Sequence, residues 1–200
     1  MAELIPLARP TQERADAARN RARILQAASR LFAEGGITGI SMDAVAAEAG
    51  VGKGTLFRRF GSKAGLAVAL LDERERDLQE AMLSGPSPLG PGARAADRLR
   101  AFAAGYLQFL ERHLDLVRLS ETSHPGARYQ IGAYRFWHAH VSVLLAEINP
   151  GLDVPYVAHA LLAPLAADLN QALTSDDFSF QRIRDGFDAL LRVITEGGGK

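Results

Sequence analysis

The sequence predicts an all-α protein, and three observations carry that prediction. Apolar residues recur at helical spacing over most of the 200 residues, no stretch alternates apolar and polar as a half-buried strand would, and the interruptions fall at Gly/Pro clusters such as SGPSPLGPG (84–92), HPG (124–126) and NPGLDVP (149–155). A hydrophobic fraction of 48% is enough for a packed core. The expected organisation is a flexible arm at 1–18, a three-helix unit at 19–65, and a connecting helix that opens a second helical domain at 66–200.

The first helix of the small unit is marked by Ile24, Leu25, Ala28, Leu31 and Phe32, which form one buried stripe before Gly35 and Gly36 end it. The next segment, SMDAVAAEAGVGKGTLFRRF (41–60), reads as two short helices joined by a glycine turn. Ser41 is placed to cap the first of these and Asp43 to face its positive dipole end, with Met42, Val45, Ala46 and Ala49 turned inward. Gly50 stands where the chain leaves a helix in the left-handed conformation, Val51 plugs the angle, and Gly52 starts the second helix. Leu56 and Phe60, four apart, share that helix's buried face. A connecting helix from Ser62 to Leu83 follows, with Leu66, Ala69 and Leu70 facing back and a charged half, DERERDLQE, that reads as solvated.

The outer face of the second short helix has the chemistry of a major-groove reader. Arg and Lys donate to guanine O6 and N7, Thr pairs with several base edges, and Gly lets backbone approach closely; Lys53, Gly54, Thr55 and Arg58 are the base-reading candidates. Ser41, Arg59 and Lys63 suit phosphates, which fix register and make binding salt-sensitive. Spacing alone also fits an ordinary helical hairpin with solvated charges.

From Arg21 to Leu70, through ARILQAASRLFAEGG, ISMDAVAAEAGVGKGTLFRRF and SKAGL, the sequence resembles the TetR/AcrR family of bacterial transcription regulators. The resemblance implies a helix-turn-helix DNA-binding domain joined by a connecting helix to a C-terminal helical ligand-binding and dimerisation domain. It departs at two positions: Phe57 stands where the family usually has a phosphate-contacting Tyr, leaving packing or a thymine methyl as its contact, and Gly52 replaces a capping Ser.

Beyond residue 92 the helical pattern continues. A helix at about 93–113 carries Leu99, Phe102, Tyr106, Phe109 and Leu110 on one face, and a shorter piece follows to Thr122. A helix at 128–149 shows two adjacent stripes, Trp137/Val141/Leu144/Leu145/Ile148 and Tyr129/Ala133/Phe136/His140/Val143, and is therefore expected to be central. The aromatic group Phe102, Tyr106, Phe109, Phe136 and Trp137, with His140, either lines an apolar ligand cavity or fills a core. Two final helices, 155–173 and 180–196, offer small residues Ala163, Ala167, Gly186, Ala189 and Val193 for a four-helix dimer interface like the family's, or simply cap the body. Pro164 predicts a kink.

The charge is uneven although the total is zero. Residues 1–63 hold ten Lys/Arg against six acids, and the remainder thirteen against seventeen, which fits a DNA-binding head on a body that avoids DNA. Arg19, Arg21 and Arg23 either extend that footprint or belong to a soluble leader. No cysteine is present, His138 and His140 point apart on a helix, and no metal or other cofactor is expected. GVGKGT lacks the spacing and the Ser/Thr of a phosphate-binding loop, and no hydrolase or dinucleotide motif occurs, so no enzyme is expected. No signal-peptide core or membrane span is read, which suits the cytoplasm. The sequence thus points to a homodimeric repressor released from palindromic operator DNA by an unidentified small-molecule effector; a DNA-binding regulator or architectural protein without a ligand is the alternative.

Overall fold

A computed structural model describes residues 10–196, and among them there are ten α-helices, one 3₁₀ turn and no strand. The chain divides into two units between Leu66 and Ala67.

The first unit is built from α1 (Pro10–Gly39), α2 (Met42–Glu48), α3 (Lys53–Phe60) and the first turn of α4 (Lys63–Ser84). From Pro10 onward the residues expected to form a flexible arm instead open α1; residues 1–9 lie outside the described residues. The expected break in α1 falls at Gly36, whose φ of 60° and ψ of −164° are not helical. Ile24, Leu25, Ala27, Ala28, Val45, Ala46, Leu56 and Leu66 are buried, whereas Leu31, Phe32 and Phe60 are half-buried. Removing this apolar surface from water stabilises by roughly 1.5–3 kcal/mol per large side chain. An ion pair from Arg30 Nη2 to Glu48 Oε1, 2.9 Å, ties α1 to α2 at the surface. Gly65 has no alternative: a Cβ there would lie 2.0 Å from the carbonyl oxygen of Phe60, so α3 and α4 meet through bare backbone.

The second unit contains the rest of α4 and then α5 (Ala95–Glu121), α6 (Ala127–Gln130), α7 (Gly132–Ile148), α8 (Val154–Leu162), a 3₁₀ turn (Ala163–Leu165), α9 (Ala167–Ser175) and α10 (Phe180–Glu196). It is α5, rather than α7, that packs against the most neighbours: α6, α7, α9 and α10. Leu99, Phe102, Tyr106, Leu107, Phe109 and Leu110 are buried along it, and the helix bends at His113, where φ is −132°, near the expected end of its first part. Helix α7 starts later than its pattern suggests, because Ile131 is extended (φ −70°, ψ 136°). One of its stripes, with Trp137, Val141, Leu144 and Leu145, is buried; the other ends in solvent at Tyr129 and Val143. Pro164 does more than kink its helix. It stands in the 3₁₀ turn, and Ala166 is extended, so α8 and α9 are separate helices.

Among the described residues no helix is long and apolar enough to cross a membrane, and no group of three or more His, Cys, Asp or Glu residues is arranged to hold a metal.

Candidate functional site

Local chemistry sets the outer face of α3. Ser41 is extended (φ −114°, ψ 151°) and its Oγ accepts from the Ala44 N–H at 3.0 Å, closing the start of α2. The end of α2 is fixed by two backbone bonds, Gly50 N–H to Ala47 O at 3.1 Å and Val51 N–H to Ala46 O at 2.9 Å, the paired pattern of a helix that leaves through a left-handed residue. Gly50, at φ 60°, is that residue. The turn aims α3 so that Leu56 is completely buried while Lys53, Gly54, Phe57, Arg58 and Arg59 are exposed and Thr55 is half-buried. A Cβ at Gly54 would meet nothing within 4 Å, so packing does not demand glycine there; the surface in front of it is open.

Lys53 and Ser41 already have partners inside the chain. Lys53 Nζ pairs with Asp43 Oδ2 at 2.6 Å, an exposed ion pair weak enough, at about 0–1 kcal/mol, for a phosphate or a guanine to replace the carboxylate. Ser41 spends its Oγ on the cap, so its contribution to an anion comes from the helix start it organises. Phe57 is 46% exposed, an apolar ring on a cationic face. Lys63 opens α4, behind Ser62, whose Oγ accepts from the Gly65 N–H at 3.1 Å.

The body offers less room than its aromatic residues suggest. Phe102 lies 6.0 Å from Tyr106, 5.8 Å from Trp137 and 5.7 Å from His140, ring centre to ring centre, and is itself completely enclosed. Phe109 stacks edge-on to His113 and Phe136 to Trp137. His140 is kept neutral, its pKa lowered to about 4 by burial and then by Arg98. Of the six residues expected to line a ligand cavity, Tyr106 and Trp137 line one cavity of the body, and Phe102, Phe109, Phe136 and His140 are not among the walls of that cavity.

That cavity is partly open and holds about 20 Å³, bounded by side chains of α4, α5, α6 and α7. Its polar wall was not visible in the sequence. Arg128 is buried and donates to Glu121 and, at 2.9 Å, to the Leu162 carbonyl, while its guanidinium lies 5.2 Å from the Tyr134 ring centre. Glu121 Oε2 also accepts from the Ala167 N–H at 2.9 Å, capping α9. Glu75, read from sequence as part of a solvated face, is instead 8% exposed and lines the cavity. Burial, then Asp72, then Glu121 raise its pKa to about 7.

Residues 24–70 match the family model described as bacterial regulatory proteins of the tetR family. Over those residues the chain is of the TetR-family type. An HTH-type transcriptional regulator of Staphylococcus aureus is 45% identical over 65 residues, which are 32% of this chain and 34% of that protein, so the chain matches about a third of its curated relatives' length. A TetR-family regulator from Pectobacterium atrosepticum superposes with a TM-score of 0.65 at 20% identity, covering 92% of this chain and 96% of that one. The TetR-family repressor FadR of Thermus thermophilus, solved with lauroyl-CoA, gives 0.65 at 18% identity, over 88% and 94%. These two likenesses extend the shared fold from the TetR head to the body.

The residues expected at a TetR-type dimer interface separate in the structure. Ala163, Gly186, Ala189 and Val193 are exposed, Val193 by 72%. Ala167 is completely buried and offers no surface to a partner, because its backbone N–H is turned in to Glu121. Beside the exposed face, an apolar groove of about 210 Å³ runs between α9 and α10, walled by Leu165, Leu169, Phe187 and Leu190 among others.

Proposed function

We infer that this TetR-family chain is a homodimeric transcription regulator that reads operator DNA with α3 and works as a repressor relieved by a small molecule. One observation carries the reading: α3 buries only Leu56 and turns Lys53, Gly54, Thr55, Arg58 and Arg59 away from the head's core, in a segment that matches the family model. Lys53, Gly54, Thr55 and Arg58 are assigned to base edges, Arg59, Lys63 and the α2 start behind Ser41 to phosphates, and Phe57 to a thymine methyl. Self-association would use the α10 face of Gly186, Ala189 and Val193 with Ala163. In a dimer the two recognition helices must sit about 34–36 Å apart to meet successive major grooves, and an effector acts by favouring a different spacing. A gel-shift titration against DNA flanking the chain's own gene, and against palindromes selected from a random pool, tests this. Salt-sensitive binding as a dimer is the expected result; binding to neither set of DNA removes the reading.

The filled aromatic cluster around Phe102 favours a second reading, a DNA-binding protein with no effector. A buried carboxyl facing a cavity weighs against it, since nothing in a purely architectural body requires that cost.

A further inference from the structure

The cavity beside Glu75 has a chemical sign. Glu75 is more than nine-tenths buried, yet among the described residues its carboxyl takes part in no hydrogen bond and no ion pair. Its charged neighbours are engaged elsewhere. The charge of Arg128 is absorbed by Glu121 and by the carbonyls of Leu162 and Leu165, and Glu121 is shared between Arg128 and the Ala167 N–H. Ser120 gives its proton to the Val117 carbonyl at 2.7 Å, which leaves its oxygen lone pairs available. The remaining wall is aliphatic and aromatic, with the rings of Tyr106, Tyr134 and Trp137 in it. The Arg128–Glu121 pair is neutral overall, so an ionised Glu75 gives the cavity a net negative charge, surplus acceptors and π faces, a combination that excludes anions and suits a cation carrying N–H donors.

Size narrows the class. About 20 Å³ exceeds the roughly 10–15 Å³ that one water needs, and an –NH₃⁺ group is close to water in size. A bulky quaternary ammonium would have to force the walls apart, whereas a primary ammonium fits with its carbon chain leaving through the open side.

We propose that Glu75 is the anchor of an effector site for a primary alkylamine, whose ammonium group sits between the Glu75 carboxylate, Ser120 Oγ and the face of Trp137. This rests on the ligand-responsive reading above and names its ligand class. The head's DNA-binding role is independent of it.

Trp137 is the only tryptophan in the chain and lines the site, so intrinsic fluorescence reports occupancy directly. The full-length protein is titrated at pH 8 with n-alkylamines from methylamine to hexylamine, alongside the alcohols and carboxylates of equal chain length. A saturable change with amines alone is expected. Glu75→Gln, close in shape, should raise the amine dissociation constant at least tenfold while far-UV circular dichroism stays unchanged. Calorimetry at pH 6.5 in buffers of different ionisation enthalpy provides a second readout: amine binding ionises Glu75, whose pKa is held near 7, and therefore releases protons. No saturable response to any amine, equal binding of the alcohols, unchanged affinity in Glu75→Gln, or binding without proton release each overturns the proposal. A gel shift on the same preparation separates the two claims: DNA binding without an amine response sinks only the effector class, and an amine response without DNA binding sinks the regulator reading.

Discussion

The exposed face of α3, proposed to read DNA, and the cavity beside Glu75 are opposite kinds of surface. On α3 the functional side chains project into solvent, their charges cost little, and the helix is positioned by short-range devices: the Ser41 cap, the Gly50 exit and the buried Leu56. At the cavity the charges are out of water and are held by residues from three helices, with Arg128, Glu121 and the Ala167 N–H locked together. Substitutions on α3 should therefore change binding and leave stability nearly intact, whereas substitutions around Glu121 should change stability first.

The largest effect is expected at the buried pair. Arg128→Ala leaves Glu121 without its counter-charge and frees two carbonyls, and should cost about 3–5 kcal/mol in denaturant unfolding. A loss under 1 kcal/mol would mean that the pair is effectively solvated and would erase the contrast with α3.

Next comes the pH dependence of Glu75. Its folded-state pKa of about 7 lies above the ordinary 4.5, so the folded chain holds the proton more tightly than the unfolded one. This contribution to stability is full below pH 4.5, falls as pH rises through 7 and is flat above it, by up to about 3 kcal/mol. Unfolding curves of Glu75→Gln should lack that slope and should match or exceed the parent in stability at pH 8. Parallel pH profiles for the two proteins would show that the carboxyl is already satisfied.

On α3, Arg58→Ala should cost about 1–3 kcal/mol on the preferred DNA and flatten its base preference, while Lys63→Ala should weaken all sequences alike and lower the salt slope by about one. Selection of preferred sites with each variant checks this, and identical shifts in both would break the division between base and phosphate contacts. The smallest effect is Ser41→Ala, about 1 kcal/mol of head stability from a lost cap, read by hydrogen exchange in α2.

The same contrast explains what was legible in the sequence. The head is specified by neighbours: a cap three residues from the N–H it satisfies, a glycine one residue past a helix end, a stripe at i and i+4. The all-α class was readable for the same reason, and a disturbance at Pro164 was too, although a kink was expected where the helix in fact ends. Glu75 was not, because DERERDLQE has the composition of a solvated face and only the tertiary fold, which sets one of its carboxyls into a cavity wall, buries it. Glu121 and Arg128 are separated by a turn and Ala167 lies 46 residues beyond Glu121, and no spacing rule joins the three. Ala167 shows the limit from the other side, since a small residue at helical spacing serves an interface or a core equally well. The aromatic group was correctly seen as clustered, yet whether rings line a cavity or fill it depends on their mutual distances, which composition does not contain.

The central claim is that α3 is a DNA-reading surface whose grip is partly electrostatic. Fluorescence anisotropy of a labelled, selected palindrome, titrated with the full-length protein at stepped salt concentrations, tests it most directly. The account predicts saturable binding by two chains per palindrome, with the logarithm of the association constant falling linearly against the logarithm of salt and Arg58→Ala removing the preference over scrambled DNA. Binding that ignores salt, or a preference unchanged by Arg58→Ala, would contradict it.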